Sequence, residues 1–173
     1  MNLPRVSSHR QHQGGAAAVE FAIVLPVMIL ILWGLTTMGS VLYAQMSLSR
    51  AAADGVRALG TINGISSYQS VPEDVKASVR LEVIHSLALS LLAPTGLGDY
   101  DARVGWMQEN ILPNVSVDNQ SCGGGNAGAD VLRVRVSYPY SSIRILPPIS
   151  LPMVGSMDGW MPQTLTGCAT ARL

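Results

Sequence analysis

From Phe21 to Ser49 the chain carries no Lys, Arg, Asp, Glu or His, an uncharged run of about 29 residues. About 20 predominantly apolar residues suffice to carry an α-helix across the hydrocarbon core of a bilayer. A core helix of a soluble protein rarely runs so far without a polar face, because one side of it must meet water. The run predicts a single membrane-spanning helix, since no second apolar stretch approaches its length. Charge is scarce elsewhere too: charged residues are 13% of the 173, against about 25% in ordinary soluble domains. Eleven basic and eleven acidic residues give a formal net charge of +0. No basic excess exists to neutralise a phosphate backbone, which argues against nucleic acid as a partner.

The flanks set a direction. Arg5, His9, Arg10 and His12 precede the run without an acid among them, whereas Arg50, Asp54 and Arg57 follow it. The positive-inside rule then keeps the N-terminus cytoplasmic and exports the residues after about 50. A cleaved secretory signal shares the basic start, but its apolar region is only about 7–15 residues and ends at a small-x-small site. The nearest such triplet, Leu42-Tyr43-Ala44, has Leu where a small residue is needed.

Glu20 stands at the edge of the run, where an acid at membrane depth is costly and calls for a partner. No cation lies within a helical turn of it unless a new N-terminus is made nearby. The surrounding residues supply a reason for one. A basic leader ending in Gly, followed by small residues, Glu and an aromatic at the head of a membrane helix, resembles the prepilin-peptidase site of type IV pilins. More closely, Gly15-Ala-Ala-Ala-Val-Glu20-Phe21-Ala-Ile-Val-Leu25-Pro26, with Arg50-Ala-Ala-Ala-Asp-Gly-Val-Arg57-Ala58 further on, resembles the TadE-like family of tight adherence (Tad, or Flp-type IVb) pilus systems. The resemblance spans residues 14–60.

That resemblance implies a membrane-anchored minor pilin or pseudopilin, cut by a prepilin peptidase between Gly15 and Ala16. Cleavage would remove Arg5 and Arg10 and free an α-ammonium on Ala16, one helical turn before Glu20, so that Glu20 neutralises it within the subunit or in a neighbour. Phe21 fills the aromatic position after the acid. The implied partners are the peptidase, other Tad pilins and minor pilins, the inner-membrane assembly platform and the lipid bilayer. The implied place is the bacterial inner membrane, with the C-terminal portion periplasmic or extracellular. Independently of the resemblance, Pro26 lacks an N–H and would kink the helix near residues 22–26. Gly34 and Gly39, with Thr36, Thr37 and Ser40, offer a small-residue face for close helix packing.

Beyond the run, a helical pattern continues through Ala44, Leu48, Ala51, Ala52 and Arg57 toward stop signals at Gly60 and Asn63-Gly64. The expected organisation is a leader over 1–15, a transmembrane and stalk helix over 16–60, and an exported α+β head over 61–173 with one helix and an antiparallel sheet. Ser70-Val71-Pro72-Glu73 reads as a capping box opening that helix, and Pro94 with Gly96 ends it near residue 93. Val75, Val79, Val83, Leu87 and Leu91, beside Leu81, Ile84 and Leu92, form its apolar face, with Lys76, Arg80 and Glu82 opposite. Strands are expected at 101–108, 112–117 and 130–138, and a last one over 165–173. The clearest is 130–138, where Leu132, Val134, Val136 and Tyr138 alternate with Arg133, Arg135 and Ser137 on a solvated face. Pro139 and the stretch 147–152, which holds Pro147, Pro148 and Pro152, read as an irregular connection.

Cys122 and Cys168 both fall in the exported portion, where oxidising conditions favour one disulfide; closing a loop of that length stabilises by about 3–4 kcal/mol. Other site readings are thin. His85, the one exported His, lacks companions for a metal, and neither Cys has an evident base, so no metal, cofactor or catalytic set is expected. Asp99-Tyr100-Asp101 lacks the Gly and distal Glu of a calcium loop, and Gly123-Gly124-Gly125 has no following Lys-Ser/Thr for a phosphate cradle. Asn114-Val115-Ser116 matches a glycosylation triplet, relevant only in a eukaryotic secretory route. Two functional readings remain: a non-enzymatic pilus-assembly subunit, and an uncleaved bitopic envelope protein whose exported head binds a ligand or partner. A tethered hydrolase would need a nucleophile–base pair that the sequence does not display.

Overall fold

The computed structural model describes residues 14–59, 67–90, 92–94, 96–125, 127–143, 150–151, 155–156 and 161–173. Residues 1–13 of the basic leader, the stop signals at Gly60, Asn63 and Gly64, Leu91, and the prolines Pro147, Pro148 and Pro152 lie outside them. Helix α1 runs Gly14–Leu59 with Pro26 inside it. The chain divides into two compact units, Met1–Gly39 and Ser40–Leu173.

In the first unit, α1 is apolar on every side. Residues 17–36 are exposed throughout apart from a half-buried Trp33. At 1.5 Å per residue, positions 17–39 span about 34 Å, enough for a hydrocarbon core of about 30 Å. Among the described residues, one helix is long and apolar enough to cross a membrane, and it is this one.

The second unit is an α+β domain built on the C-terminal part of α1. Its buried positions, Ala44, Leu48, Ala51, Ala52, Gly55 and Leu59, recur at helical spacing as one stripe. Helix α2 (Glu73–Ala88) and helix α3 (Tyr100–Asn110) join it. Strands β1 (Val115–Asp118), β2 (Val131–Tyr138) and β5 (Leu165–Arg172) form an antiparallel sheet in the order β1-β2-β5. Val136 pairs with Val115 on one side and Gly167 on the other. A separate two-stranded ribbon pairs β3 (Ser150–Leu151) with β4 (Gly155–Ser156). Leu132, Val134, Val136 and Tyr138 on β2 close over Leu48, Val83, Leu87, Met107 and Ile111 in one core.

Two glycines let the layers meet. A Cβ on Gly167 would lie 2.3 Å from the carbonyl carbon of Leu48, so β5 crosses α1 almost backbone to backbone. A Cβ on Gly55 would lie 2.5 Å from Cγ2 of Val83, which brings α2 against α1.

The structure corrects several expectations. The strand predicted at 101–108 is α3: its inward residues Arg103, Val104 and Met107 stand at i, i+1 and i+4, the spacing of a helix and not the alternation of a strand. The predicted strand at 112–117 begins only at Val115, because Pro113 sits in a 3-10 turn over Leu112–Asn114. Ser70 does not cap α2; its hydroxyl donates to the Ser67 carbonyl, and Pro72 holds the cap position. Helix α2 ends at Ala88, not near 93, because the Ser90 hydroxyl donates to the Leu87 carbonyl at 2.6 Å and accepts from the Leu92 N–H. Leu81, assigned to the apolar face of α2, is exposed. The clear strands at 130–138 and 165–173 are present as β2 and β5.

Candidate functional site

The residues singled out for processing lie in the opening turns of α1. Gly14, Gly15 and Ala16 already have helical backbone, and nothing comes within 4 Å of a Cβ built on Gly15. Two glycines in a first turn are weak helix formers, so this end opens at little cost. Glu20 is exposed and, among the described residues, makes no ion pair. Positions 16 and 20 are one turn apart on a common helix side. Phe21 is 64% exposed, an aromatic ring presented to the surroundings and not to the protein's own core.

The cysteines are joined. Cys122 and Cys168 form a disulfide with Cα atoms 5.9 Å apart, tying β5 to the loop that follows β1. The same loop is held from beneath by Arg133. Its guanidinium donates to Asp118 Oδ2 at 2.6 Å, Gln120 Oε1 at 2.8 Å and the Ser121 carbonyl at 3.1 Å. Arg133 is therefore not on a solvated strand face as expected: it is 6% exposed, while Arg135, two residues on, is exposed. Asp118 lies directly opposite Arg133 in the β1–β2 register, so alternation alone could not reveal that the pair would be covered. Gly123 to Gly125 form a turn in which Gly124 has φ +77°, the left-handed region that suits glycine.

Elsewhere in the domain, polar groups serve packing. The Tyr138 hydroxyl donates to the carbonyls of Leu92 at 2.9 Å and Ile143 at 3.1 Å. Burial, with the neighbouring Tyr140, pushes its ionisation up to about 12. On the surface of α2, the hydrogen bond from Lys76 Nζ to Glu73 Oε1 at 2.7 Å holds the Glu73 carboxyl below its ordinary value and raises Lys76. Lys76 also sits 4.6 Å over the Tyr68 ring. Asp99, considered for a calcium loop, occupies the N-cap position of α3, where its side chain makes no capping bond. Sequence reading missed Asp118, Gln120, Gly55 and Gly167; only the Asp118–Arg133 charge pair left any signal, and it needed the strand register to be seen.

With the glycine-led helix and its exposed glutamate in place, the comparison with known families becomes informative: the family model described as TadE-like protein matches residues 15–57. The match covers about a quarter of the chain. It starts at Gly15 and ends inside α1, so it covers both the exposed part of the helix and most of the buried stripe. It agrees with the resemblance read over 14–60. No curated protein and no solved structure matches the chain. The matched segment contains the helix that, among the described residues, is long and apolar enough to cross a membrane.

Proposed function

We propose that this chain is a minor pilin or pseudopilin of a Tad pilus, anchored by α1 in the bacterial inner membrane with its N-terminus cytoplasmic and residues after about 50 exported. A prepilin peptidase cuts it between Gly15 and Ala16. The observation that carries this reading is the TadE-like match beginning at Gly15, the residue proposed to end the leader. Supporting it, Gly14 and Gly15 make an easily opened first turn in which Gly15 is exposed. Removal of the leader withdraws Arg5 and Arg10, the charges that hold the N-terminus on the cytoplasmic side. The new α-ammonium on Ala16 then lies one turn from Glu20, which otherwise brings an uncompensated carboxylate to the membrane boundary. Neutralising it, in the same subunit or a neighbour, lets the processed helix sit among others of its kind, and Pro26 shapes the first turns of that helix. The partners are other Tad pilins and the assembly platform, and the chain acts as a substrate and structural part, not as a catalyst.

The test is the intact mass and N-terminal sequence of the protein from the membrane fraction of its host, beside a Gly15→Ala variant. A native chain starting at Ala16, with the variant left at full length, is the expected result. A native chain starting at Met1 in a host with active prepilin peptidase overturns the proposal and leaves a permanently anchored envelope protein.

A further inference from the structure

Among the described residues of the folded domain, the large apolar side chains left exposed are Leu42, Tyr43, Met46, Leu81, Leu89 and Tyr100. Three of these, Tyr43, Met46 and Leu89, line one groove of about 410 Å³ between α1 and the end of α2. Met46 and Leu89 are 73% and 75% exposed, more than any other large apolar residue described in the domain. Water is a poor solvent for such a cluster. The groove also holds Ser47, Arg50, Asp54 and Ser86. Asp54 is already engaged, accepting from the Ser86 hydroxyl at 2.8 Å and facing Arg57 at 3.5 Å. Arg50 makes no ion pair among the described residues. The groove thus presents apolar rims, one aromatic and one cation without a counterion among the described residues.

In the chain, Tyr43 to Arg50 follow directly on the segment over 17–39 that is long enough to cross the hydrocarbon core, and Arg50 is the first charge after the uncharged run. Tyr is enriched at the membrane–water boundary, and Arg there reaches phosphate while its stem lies along apolar surface. We infer that this groove receives the head group of a phospholipid from the membrane that α1 crosses. Arg50 pairs with the phosphate, Ser47 donates to it, and Met46 and Leu89 meet the upper acyl chain. The occupant fits on charge, on the order of apolar and polar lining, and on position in the chain. This rests on α1 being a membrane crossing, so the test reads that separately.

The full-length chain, with its native disulfide intact, is reconstituted into vesicles of phosphatidylcholine with phosphatidylglycerol. Single cysteines at Leu89→Cys, at Glu109→Cys on α3 and at Ile31→Cys in the crossing segment carry a fluorescent thiol label. Leu89 and Glu109 are exposed, so neither change burdens folding. Quenching of the Ile31 label by acyl-chain nitroxide lipid reports insertion. The Leu89 label is then expected to be quenched by head-group nitroxide lipid at least about twofold more than the Glu109 label. Arg50→Gln is expected to lower the enrichment of phosphatidylglycerol at the Leu89 label about fivefold, the usual worth of one basic residue at such a surface. With Ile31 quenched, equal quenching at Leu89 and Glu109 overturns the inference. Leu89 labels that respond to protein density and not to nitroxide lipid overturn it also, by assigning the groove to a second copy of the chain. An unquenched Ile31 label overturns the membrane reading itself, and the groove proposal with it.

Discussion

Helix α1 contains two regions in opposite surroundings, one exposed on all sides and one packed into the domain. Residues 17–36 are mostly Ala, Val, Ile, Leu and Met, and they are exposed on all sides apart from half-buried Trp33. Residues 44–59 are again rich in Ala and Leu, yet they bury a single stripe of Ala44, Leu48, Ala51, Ala52, Gly55 and Leu59, with Gln45, Arg50 and Arg57 turned outward. The same apolar side chain lies outside the protein's own core in the first region and inside it in the second. They differ both in charge and in angular spread: 17–36 carries Glu20 alone and is apolar all round, whereas 44–59 carries Arg50, Asp54 and Arg57 and buries one stripe, as suits a helix on a sheet. Close packing follows the same division. A Cβ on Gly34 or Gly39 meets nothing within 4 Å, whereas one on Gly167 strikes the α1 backbone at Leu48.

The largest effect expected from breaking this contrast is at that crossing. Gly167→Val puts a branched side chain where even a Cβ would lie 2.3 Å from Leu48 backbone atoms. Backbone cannot step aside as a flexible side chain can, so the loss should exceed about 4 kcal/mol and leave little folded domain. Urea unfolding followed by far-ultraviolet circular dichroism and intrinsic tryptophan fluorescence in detergent measures it. From the other side of the contact, Leu48→Ala empties a fully buried position and should cost about 2–5 kcal/mol. A Gly167→Val protein as stable as the native one would mean that β5 does not cross α1 here.

Next in size is the disulfide. Cys122 and Cys168 are 46 residues apart, and closing a loop of that length is worth about 4 kcal/mol in the chain-entropy treatment. Cys122→Ser with Cys168→Ser should lower the domain's stability by about that amount in the same urea assay, while α1's helicity in detergent, read by far-ultraviolet circular dichroism, changes little. Unequal responses of the two regions sharpen the comparison; equal responses would mean that the exposed helix depends on the domain.

A pH titration separates the regions again. Tyr138 ionises at about 12 when folded, against 10.0 for the unperturbed group, because burial disfavours the phenolate. The proton is held more tightly in the folded state, so the stabilisation is complete below about pH 10 and is lost as pH rises toward 12, amounting to about 2–3 kcal/mol. Tyr138→Phe should flatten that alkaline loss while giving up about 1 kcal/mol at neutral pH for its bonds to Leu92 and Ile143. An unchanged alkaline slope in the variant would place the titration elsewhere.

How far the sequence foretold these features depends on how local their causes are. The apolar helix, strands β2 and β5 and the cysteine pair were legible because each is announced by a run, an alternation or a compartment argument within a few residues. Helix α3 was not, since an eleven-residue helix gives too short a window for residue types alone to fix the period; its inward residues Arg103, Val104 and Met107 show the helical spacing only once burial is known. Arg133 was read as solvated because strand alternation reports which face a residue is on but not what lies over that face; its cover is Asp118, Gln120 and Ser121, brought there by the β1–β2 register. Gly55 and Gly167 were silent for the same reason, because close approach is a property of two segments and neither carries it alone. Of the candidate site, Gly15, Glu20 and Phe21 were legible as a resemblance, and the structure adds their exposure at the start of a helix.

The smallest expected effect is the one that tests the contrast most directly. Leu32 and Leu48 are the same residue in the same helix, 57% and 0% exposed. If exposure in the first region is solvation by lipid, Leu32→Ala leaves no cavity in the protein, and lipid or detergent fills the space the side chain vacates. Its effect on the urea transition of the folded domain should stay within about 0.5 kcal/mol. Gly34→Ala should be equally quiet, since nothing waits within 4 Å and Ala is the better helix former. A Leu32→Ala penalty approaching that of Leu48→Ala would mean that the first region is covered by protein after all, through packing of helices from separate subunits. It would then vary with protein concentration in the micelle, as a cavity within one chain does not.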